Sequence, residues 1–232
     1  MPYRYEPCVT GETYHVFNRS VAGQVIFKNH TDYLRMYELL SFYLFEKPIL
    51  NYSTYIRLKY EAKIVAMTRM KMLQSHQCKV ISFAIMPTHI HIQMKQVVDG
   101  GISDFMRHIQ DSYAKYHNIR YKKAGAVFQS MFKAVRIESD EQLLHVHRYI
   151  HLNHTTSGIL KHEEELLTYP WSSMIDYCGN RKENWIDTSL VLSQFSSLES
   201  YKSFIFDQID YQRTLHAIGK MGEEDDVTTD PF

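Results

Sequence analysis

Two β-like runs, 79–86 (KVISFAIM) and 89–97 (HIHIQMKQV), follow each other with only Pro87 and Thr88 between them. Strands joined by so short a link must fold back antiparallel, because a parallel pair needs a crossover of about a dozen residues or more. The rest of the chain must then supply further antiparallel partners and helices to cover the sheet. Residues 13–18 (TYHVFN) read as one such partner, followed by a turn through Gly23. Residues 31–45 carry Leu34, Tyr37, Leu40 and Leu44 at helical spacing, with Thr31 as N-cap and Pro48 as the stop. A second helical pattern runs from about Tyr55 to Leu73 and is basic, with Arg57, Lys59, Lys63, Arg69 and Lys71. Asp104 to Ile119 is a third, on the recurrence of Phe105, Ile109, Tyr113 and Tyr116. Residues 126–137 read as a strand region after Gly125, and Ser139 with Gln142 forms a capping box for a helix reaching Asn153. Weaker helical segments occupy 188–195 and 198–211. The expected class is α+β: a ferredoxin-like antiparallel sheet with flanking helices.

With 232 residues the chain is long enough for one domain and appendages. The expected layout is a core domain over 1–180 with a helical insertion at about 48–77. A helical extension over 181–220 and an acidic, disordered tail over 221–232 complete it. Basic and acidic residues number 26 each, so the net charge is zero. The charges are unevenly placed, however. Residues 101–136 carry Arg107, Lys115, Arg120, Lys122, Lys123, Lys133 and Arg136 against Asp104 and Asp111, whereas the tail holds Glu223, Glu224, Asp225, Asp226 and Asp230. A basic middle and an acidic end cancel in the sum but leave a local field. Cys8, Cys78 and Cys178 are odd in number and contain no CxxC, which excludes a disulfide framework and a cysteine zinc site. The first residues lack the charged-then-apolar pattern of a secretion signal, and no apolar run is long enough to span a bilayer. A cytoplasmic protein with no membrane partner is expected.

The chemistry centres on His89-Ile90-His91. On a strand, residues i and i+2 share a face, so both imidazoles converge while Ile90 enters the core opposite. Two imidazoles so placed can share a divalent metal and leave positions for an amide or carboxylate and for substrate oxygens. By itself the tripeptide is equally compatible with two histidines on a polar strand face. His145-Val146-His147 has the same spacing on a helical pattern, where i and i+2 lie about 200° apart and the rings diverge. On that helix Tyr149 and Asn153 are four apart and share a face, so an amide oxygen and a phenol sit within one turn. A phenol has a pKa near 10 and needs help to act as a nucleophile at neutral pH. A metal that polarises a scissile phosphate supplies such help. His147 and His151 are also four apart, but nothing nearby in sequence completes a second metal site.

Five ordered blocks, YHVFNRSVAGQVIF, FAIMPTHIHIQMK, GAVFQSMFKA, RYIHLN and YPWSSMIDYCG, cover roughly residues 13–180. Together they resemble the single-tyrosine HUH transposases of insertion sequences, especially the REP-associated tyrosine transposase branch. The resemblance implies that His89 and His91 bind Mg²⁺ or Mn²⁺ with Asn153 as third ligand. It implies that Tyr149 forms a 5′-phosphotyrosine bond and frees a 3′-hydroxyl, with religation the reverse. The implied partner is single-stranded DNA with a hairpin, REP-like or from an insertion-sequence end, bound by a monomer or a homodimer. Three positions depart from the pattern: Thr88 replaces a common Asn, His154 follows Asn153 in place of Pro, and Met131 stands where Arg is frequent. None removes a catalytic group.

Candidate DNA contacts are Asn18, Arg19, Arg120, Lys122, Lys123, Gln129, Lys133 and Arg136, with aromatics such as Tyr121 and Phe128 interleaved for stacking on unpaired bases. Tyr113 and Tyr116 are assigned to the core. Two other functions share the pattern. One is a metal-dependent nuclease or hydrolase in which the histidines activate water. The other is a non-catalytic DNA-binding protein on the same scaffold.

Overall fold

In the computed structural model, which describes residues 7–73, 75–181 and 183–207, the hairpin anchors the sheet. Strand β1 (Thr13–Arg19) leads through a single 3-10 turn (Val21–Gly23) to helix α1 (His30–Phe42). Helices α2 (Tyr52–Tyr55) and α3 (Tyr60–Leu73) precede the hairpin of β2 (Cys78–Ile85) and β3 (His89–Gln96). Helix α4 (Gly101–Tyr121), strand β4 (Lys133–Ile137) and helix α5 (Asp140–Thr156) follow. The short helices α6 (Glu163–Leu166), α7 (Met174–Tyr177) and α8 (Ser189–Leu192) and the longer α9 (Leu198–Phe206) close the described chain. The sheet order is β2-β3-β1-β4 and every named pair is antiparallel, so the expected ferredoxin-like arrangement is the one formed.

Strand alternation divides the molecule into two cores. Tyr14 and Val16 of β1 and Ile90, Ile92 and Met94 of β3 point to one face, where Met36, Leu39 and Leu40 of α1 and Ile102, Phe105, Ile109 and Tyr113 of α4 cover them. On the other face Ile81, Ala84 and Ile137 pack against Leu143, Val146 and Ile150 of α5 and against α7 and α9. Ile81 reaches this face because the β2–β3 register shifts between Val80 and Ser82, a bulge that turns one extra side chain over. Polar bonds tie the second layer down. Ser173 Oγ accepts from the amide of Phe83 at 2.9 Å, and Gln93 Nε2 donates to Leu143 O at 2.9 Å. At the entry to α4, a Cβ on Gly101 would stand 2.3 Å from the carbonyl oxygen of Gln77, so only glycine lets the helix start that close to β2.

Several boundaries differ from the sequence reading. Asn29, not Thr31, caps α1, its side chain accepting from the amides of Thr31 and Asp32. That helix ends at Phe42, well before Pro48, and Leu34 is exposed while Met36 and Leu39 are buried. The basic segment is not one helix from Tyr55: Asn51 caps the short α2, and α3 begins afresh at Tyr60. The strand expected over 126–137 narrows to β4, with Phe128 contributing one isolated bridge to Ser20. Helix α4 is longer than Asp104–Ile119 at both ends. The segments expected over 188–195 and 198–211 contain α8 and α9, and residues 208–232, including the acidic tail, lie outside the described residues. Among the described residues no helix is long and apolar enough to cross a membrane, and no disulfide joins Cys8, Cys78 or Cys178.

Candidate active site

The strand period places His89, His91 and Gln93 on the α5 side of β3, while Ile90 is 1% exposed in the opposite core. Across β1, antiparallel pairing sets Arg19 opposite His89 and Phe17 opposite His91, with His15 one step further along the same face. The rings of His89 and His91 stand 4.9 Å apart and perpendicular. Phe17 stacks on His91 at 5.5 Å. Two side chains engage the Nδ1 atoms: Thr88 Oγ1 lies 2.8 Å from His89 Nδ1, and His15 Nε2 lies 2.9 Å from His91 Nδ1. Burial holds His15 down to about 4, and burial together with His89, His15, Arg19 and His154 holds His91 well below the usual imidazole range. Both rings are therefore neutral at pH 7, the form that offers a lone pair.

Helix α5 runs along this face with a readable register. Leu143 O meets Gln93, the Tyr149 ring meets His91 edge-on at 5.5 Å, and His154 Nε2 lies 3.0 Å from Ile85 O, the residue paired with Ile90. Asn153, one residue before His154, is therefore carried toward the His89 end. Its Nδ2 donates to Tyr149 O at 2.9 Å, which leaves Oδ1 as the atom suited to a cation. Tyr149 also meets the edge of His15 at 5.9 Å and is half-buried. Tyr149, His91 and His15 thus form one contiguous group from α5, β3 and β1. With each Nδ1 engaged, any metal ligation by His89 and His91 would fall to Nε2, and two imidazoles plus an amide oxygen are a donor set that would fit a divalent ion. Among the described residues no three His, Cys, Asp or Glu side chains gather to form an alternative metal site.

The other sequence-derived residues fall into four places. Arg19, Gln129 and Lys133 border the histidines: the amide of Gln129 donates to Arg19 O at 2.9 Å, and Lys133, opposite Phe17, holds its Nζ 5.8 Å over that ring. Asn18 points to the opposite face and is 3% exposed. Its Nδ2 donates to Gln110 Oε1 and Gln129 O, so it braces the loop ahead of β4 and presents nothing to solvent. Arg120, Lys122 and Lys123 cluster at the end of α4, on the His89 end of the sheet. Lys123 Nζ donates to Gln24 Oε1 at 3.3 Å, and Arg120 lies 3.4 Å from the buried carboxylate of Asp32. Arg136 is apart from both groups, beside Tyr14 and in an ion pair with Glu12 at 3.0 Å.

The helical HxH pair diverges as its spacing predicts. His145 is a solvent-facing ring 3.9 Å from Glu141, whereas His147 is fully buried with Nε2 2.9 Å from the Tyr201 hydroxyl. His147 and His151 do meet, with ring centroids 4.3 Å apart, but the group that joins them is a hydroxyl. The Tyr201 oxygen also lies 3.4 Å from His151 Nδ1, and His151 Nε2 lies 2.7 Å from Ser173 Oγ. His15 escaped the sequence reading. Its signal was the alternation of TYHVFNR, which puts His15 and Phe17 on one face, but nothing in one sequence gives the register that brings that face to His91.

A family model described as transposase IS200 like matches residues 49–153, a span that includes His89, His91 and Tyr149, ends at Asn153 and leaves β1 outside. No curated protein matches the chain. Among solved structures, that of the REP associates tyrosine transposase bound to a REP hairpin is similar with a TM-score of 0.50 at 14% identity. The similarity covers 82% of this chain and 96% of that one.

Proposed function

We propose that this chain, which stands with the IS200-like transposases through residues 49–153, cuts and rejoins single-stranded DNA through Tyr149. The observation that carries the reading is the Tyr149 ring set edge-on 5.5 Å from His91 and 5.9 Å from His15, with the Asn153 amide bonded to its backbone carbonyl. The Tyr149 phenol loses its proton and its oxygen attacks the scissile phosphorus. The P–O3′ bond breaks, a 5′-phosphotyrosine forms and a 3′-hydroxyl leaves. Attack of a 3′-hydroxyl on the phosphotyrosine reverses the step and restores the phenol, so neither water nor ATP is consumed. Mg²⁺ or Mn²⁺ on His89, His91 and Asn153 would polarise the phosphate and stabilise its added charge.

The similar solved protein binds a REP hairpin, and the same class of DNA, REP-like or an insertion-sequence end, is the substrate we assign here. Arg19 and Lys133 beside the histidines, with Gln129, take the phosphates near the break. Arg120, Lys122 and Lys123 extend that basic track, Arg136 serves a more distant part of the strand, and Asn18 acts by holding Gln129 in place. The functional unit is residues 1–180, acting as monomer or homodimer, and the part of the extension over 181–220 that lies beyond Asp207 is outside the described residues. Three cysteines that form no disulfide suit a reducing cytoplasm.

Labelled hairpin-bearing single-stranded DNA, incubated with the protein and Mn²⁺ and run on a denaturing gel, tests the reading. A metal-dependent covalent adduct that disappears in Tyr149→Phe is expected. Cleavage without an adduct, unchanged by Tyr149→Phe, would replace the transposase chemistry with metal-dependent hydrolysis. Metal-independent binding without cleavage would leave a DNA-binding protein.

A further inference from the structure

His15 lies outside the 49–153 span of the family match, yet its Nε2 lies 2.9 Å from Nδ1 of His91, a candidate metal ligand. Its ring is 4% exposed and stacks on His91 at 5.1 Å with the planes 22° apart. Phe17, 4.9 Å from His15, and Tyr149, 5.9 Å from it, close two further sides. The ring therefore has little freedom to turn away from His91 Nδ1, 2.9 Å from its own Nε2.

One hydrogen occupies the gap between those two nitrogens, and it has two homes. If it belongs to His15, then His91 accepts at Nδ1, carries its proton on Nε2 and has no lone pair to give. If it belongs to His91, then Nδ1 donates to His15 Nε2, and His91 Nε2 keeps its lone pair. Only the second arrangement is compatible with ligation, and it requires His15 to hold its own proton on Nδ1. His15 is not itself a ligand in this geometry, because its Nε2 is spent on His91.

We propose that His15 is the positioning residue that accepts the Nδ1 proton of His91, thereby fixing both the orientation of that ring and the tautomer that can hold a divalent cation. The proposal rests on the metal reading of His89 and His91. Such outer partners of metal-ligating histidines usually change metal affinity about 10–100-fold when removed. His15→Leu strips the acceptor while keeping an apolar body between Phe17 and Tyr149. His15→Gln restores a carbonyl oxygen that can accept.

The test is Mn²⁺ binding to the full chain without DNA, followed by electron paramagnetic resonance, beside binding of hairpin DNA in EDTA. His15→Leu is expected to weaken Mn²⁺ binding by about 10–100-fold, with His15→Gln recovering most of it and metal-free DNA binding unchanged throughout. A folded His15→Leu that binds Mn²⁺ as the wild type does overturns the proposal. His91→Ala separates the two failures: if it too keeps full Mn²⁺ affinity, the metal reading itself falls and the proposal with it. Long-range ¹H–¹⁵N spectra of the wild-type protein saturated with Mg²⁺ need no variant. A proton on His91 Nδ1 and none on His15 Nε2 supports the assignment, and the inverse pattern overturns it.

Discussion

Two stripes of α5, roughly half a turn apart, each take part in a cluster of imidazoles and a phenol and meet different surroundings. On one, Tyr149 and Asn153 face the paired histidines of β1 and β3, and Tyr149 is half-buried. On the other, His147, His151 and His154 are fully buried, bonded to Tyr201, Ser173 and the carbonyl of Ile85. Imidazoles and phenols lie within ring contact in both. In the buried stripe the interior answers at least one nitrogen of each ring. The Tyr201 oxygen serves His147 and reaches His151, Ser173 serves the other end of His151, and the Ile85 carbonyl serves His154. Nδ1 of His147 and of His154 is sealed in without a partner among the described residues. In the first, Thr88 and His15 engage the Nδ1 atoms of His89 and His91. A histidine cluster is therefore read by what its rings face, more than by how many rings it gathers.

The sharpest way to break this contrast is to delete one hydroxyl from each stripe. Tyr149→Phe should bring the covalent adduct down by about 10³-fold or more, to background, while the melting temperature stays at the wild-type value. Loss of folding in that variant would move Tyr149 into the structural class. Acidification should act next most strongly, and on the other stripe. Burial lowers His147 to about 3 and His154 to about 4, and holds His151 well below the usual range. The unfolded chain takes up these protons below its pKa near 6.5 while the folded one resists. Their contribution to stability is thus complete above pH 6.5 and is lost as the pH falls toward 3–4. Each such proton adds about 1.4 kcal/mol per pH unit to the slope. Urea unfolding at pH 7, 6 and 5 checks it, and a flat profile would mean that the rings are already charged or solvated.

Tyr201→Phe is a smaller perturbation. It leaves His147 Nε2 and His151 Nδ1 without the Tyr201 hydroxyl, while His151 keeps Ser173, and should cost about 1–3 kcal/mol. That lowers the melting temperature by about 2–10 °C without changing adduct formation per folded molecule. His145→Ala should be the quietest. The ring is exposed and its approach to Glu141 is a surface contact, so a change within about 0.5 kcal/mol by urea unfolding is expected.

What the sequence made legible follows the range of the forces involved. The hairpin at Pro87-Thr88, the common face of His89 and His91, the cap at Ser139 and the shared face of Tyr149 and Asn153 all depend on residues within a turn or two. Each is found where its local period put it. The antiparallel layout around that hairpin was legible for the same reason. Nonlocal partners were not. His15 meets His91 across 76 positions, and Tyr201 meets His147 across 54, through a register and a helix docking that no local pattern encodes. Asn18 failed as a surface residue in the same way, because the strand turned it toward Gln110. Local competition explains the remaining differences: Asn29 out-competes Thr31 as a cap, and Asn51 starts a separate short helix ahead of α3.

The bonds that fasten α5 have a mechanical meaning. Leu143 is held to the sheet ahead of Tyr149, and His151 and His154 are held behind it, so the turn bearing the phenol is clamped from both sides. Fraying from either end would have to break a buried polar bond before reaching it, and swinging the helix outward would strand all of them at once. The Tyr149 phenol consequently rides on one of the last parts of the molecule to loosen, and its exit from the sheet costs nearly as much as melting the layer that holds it.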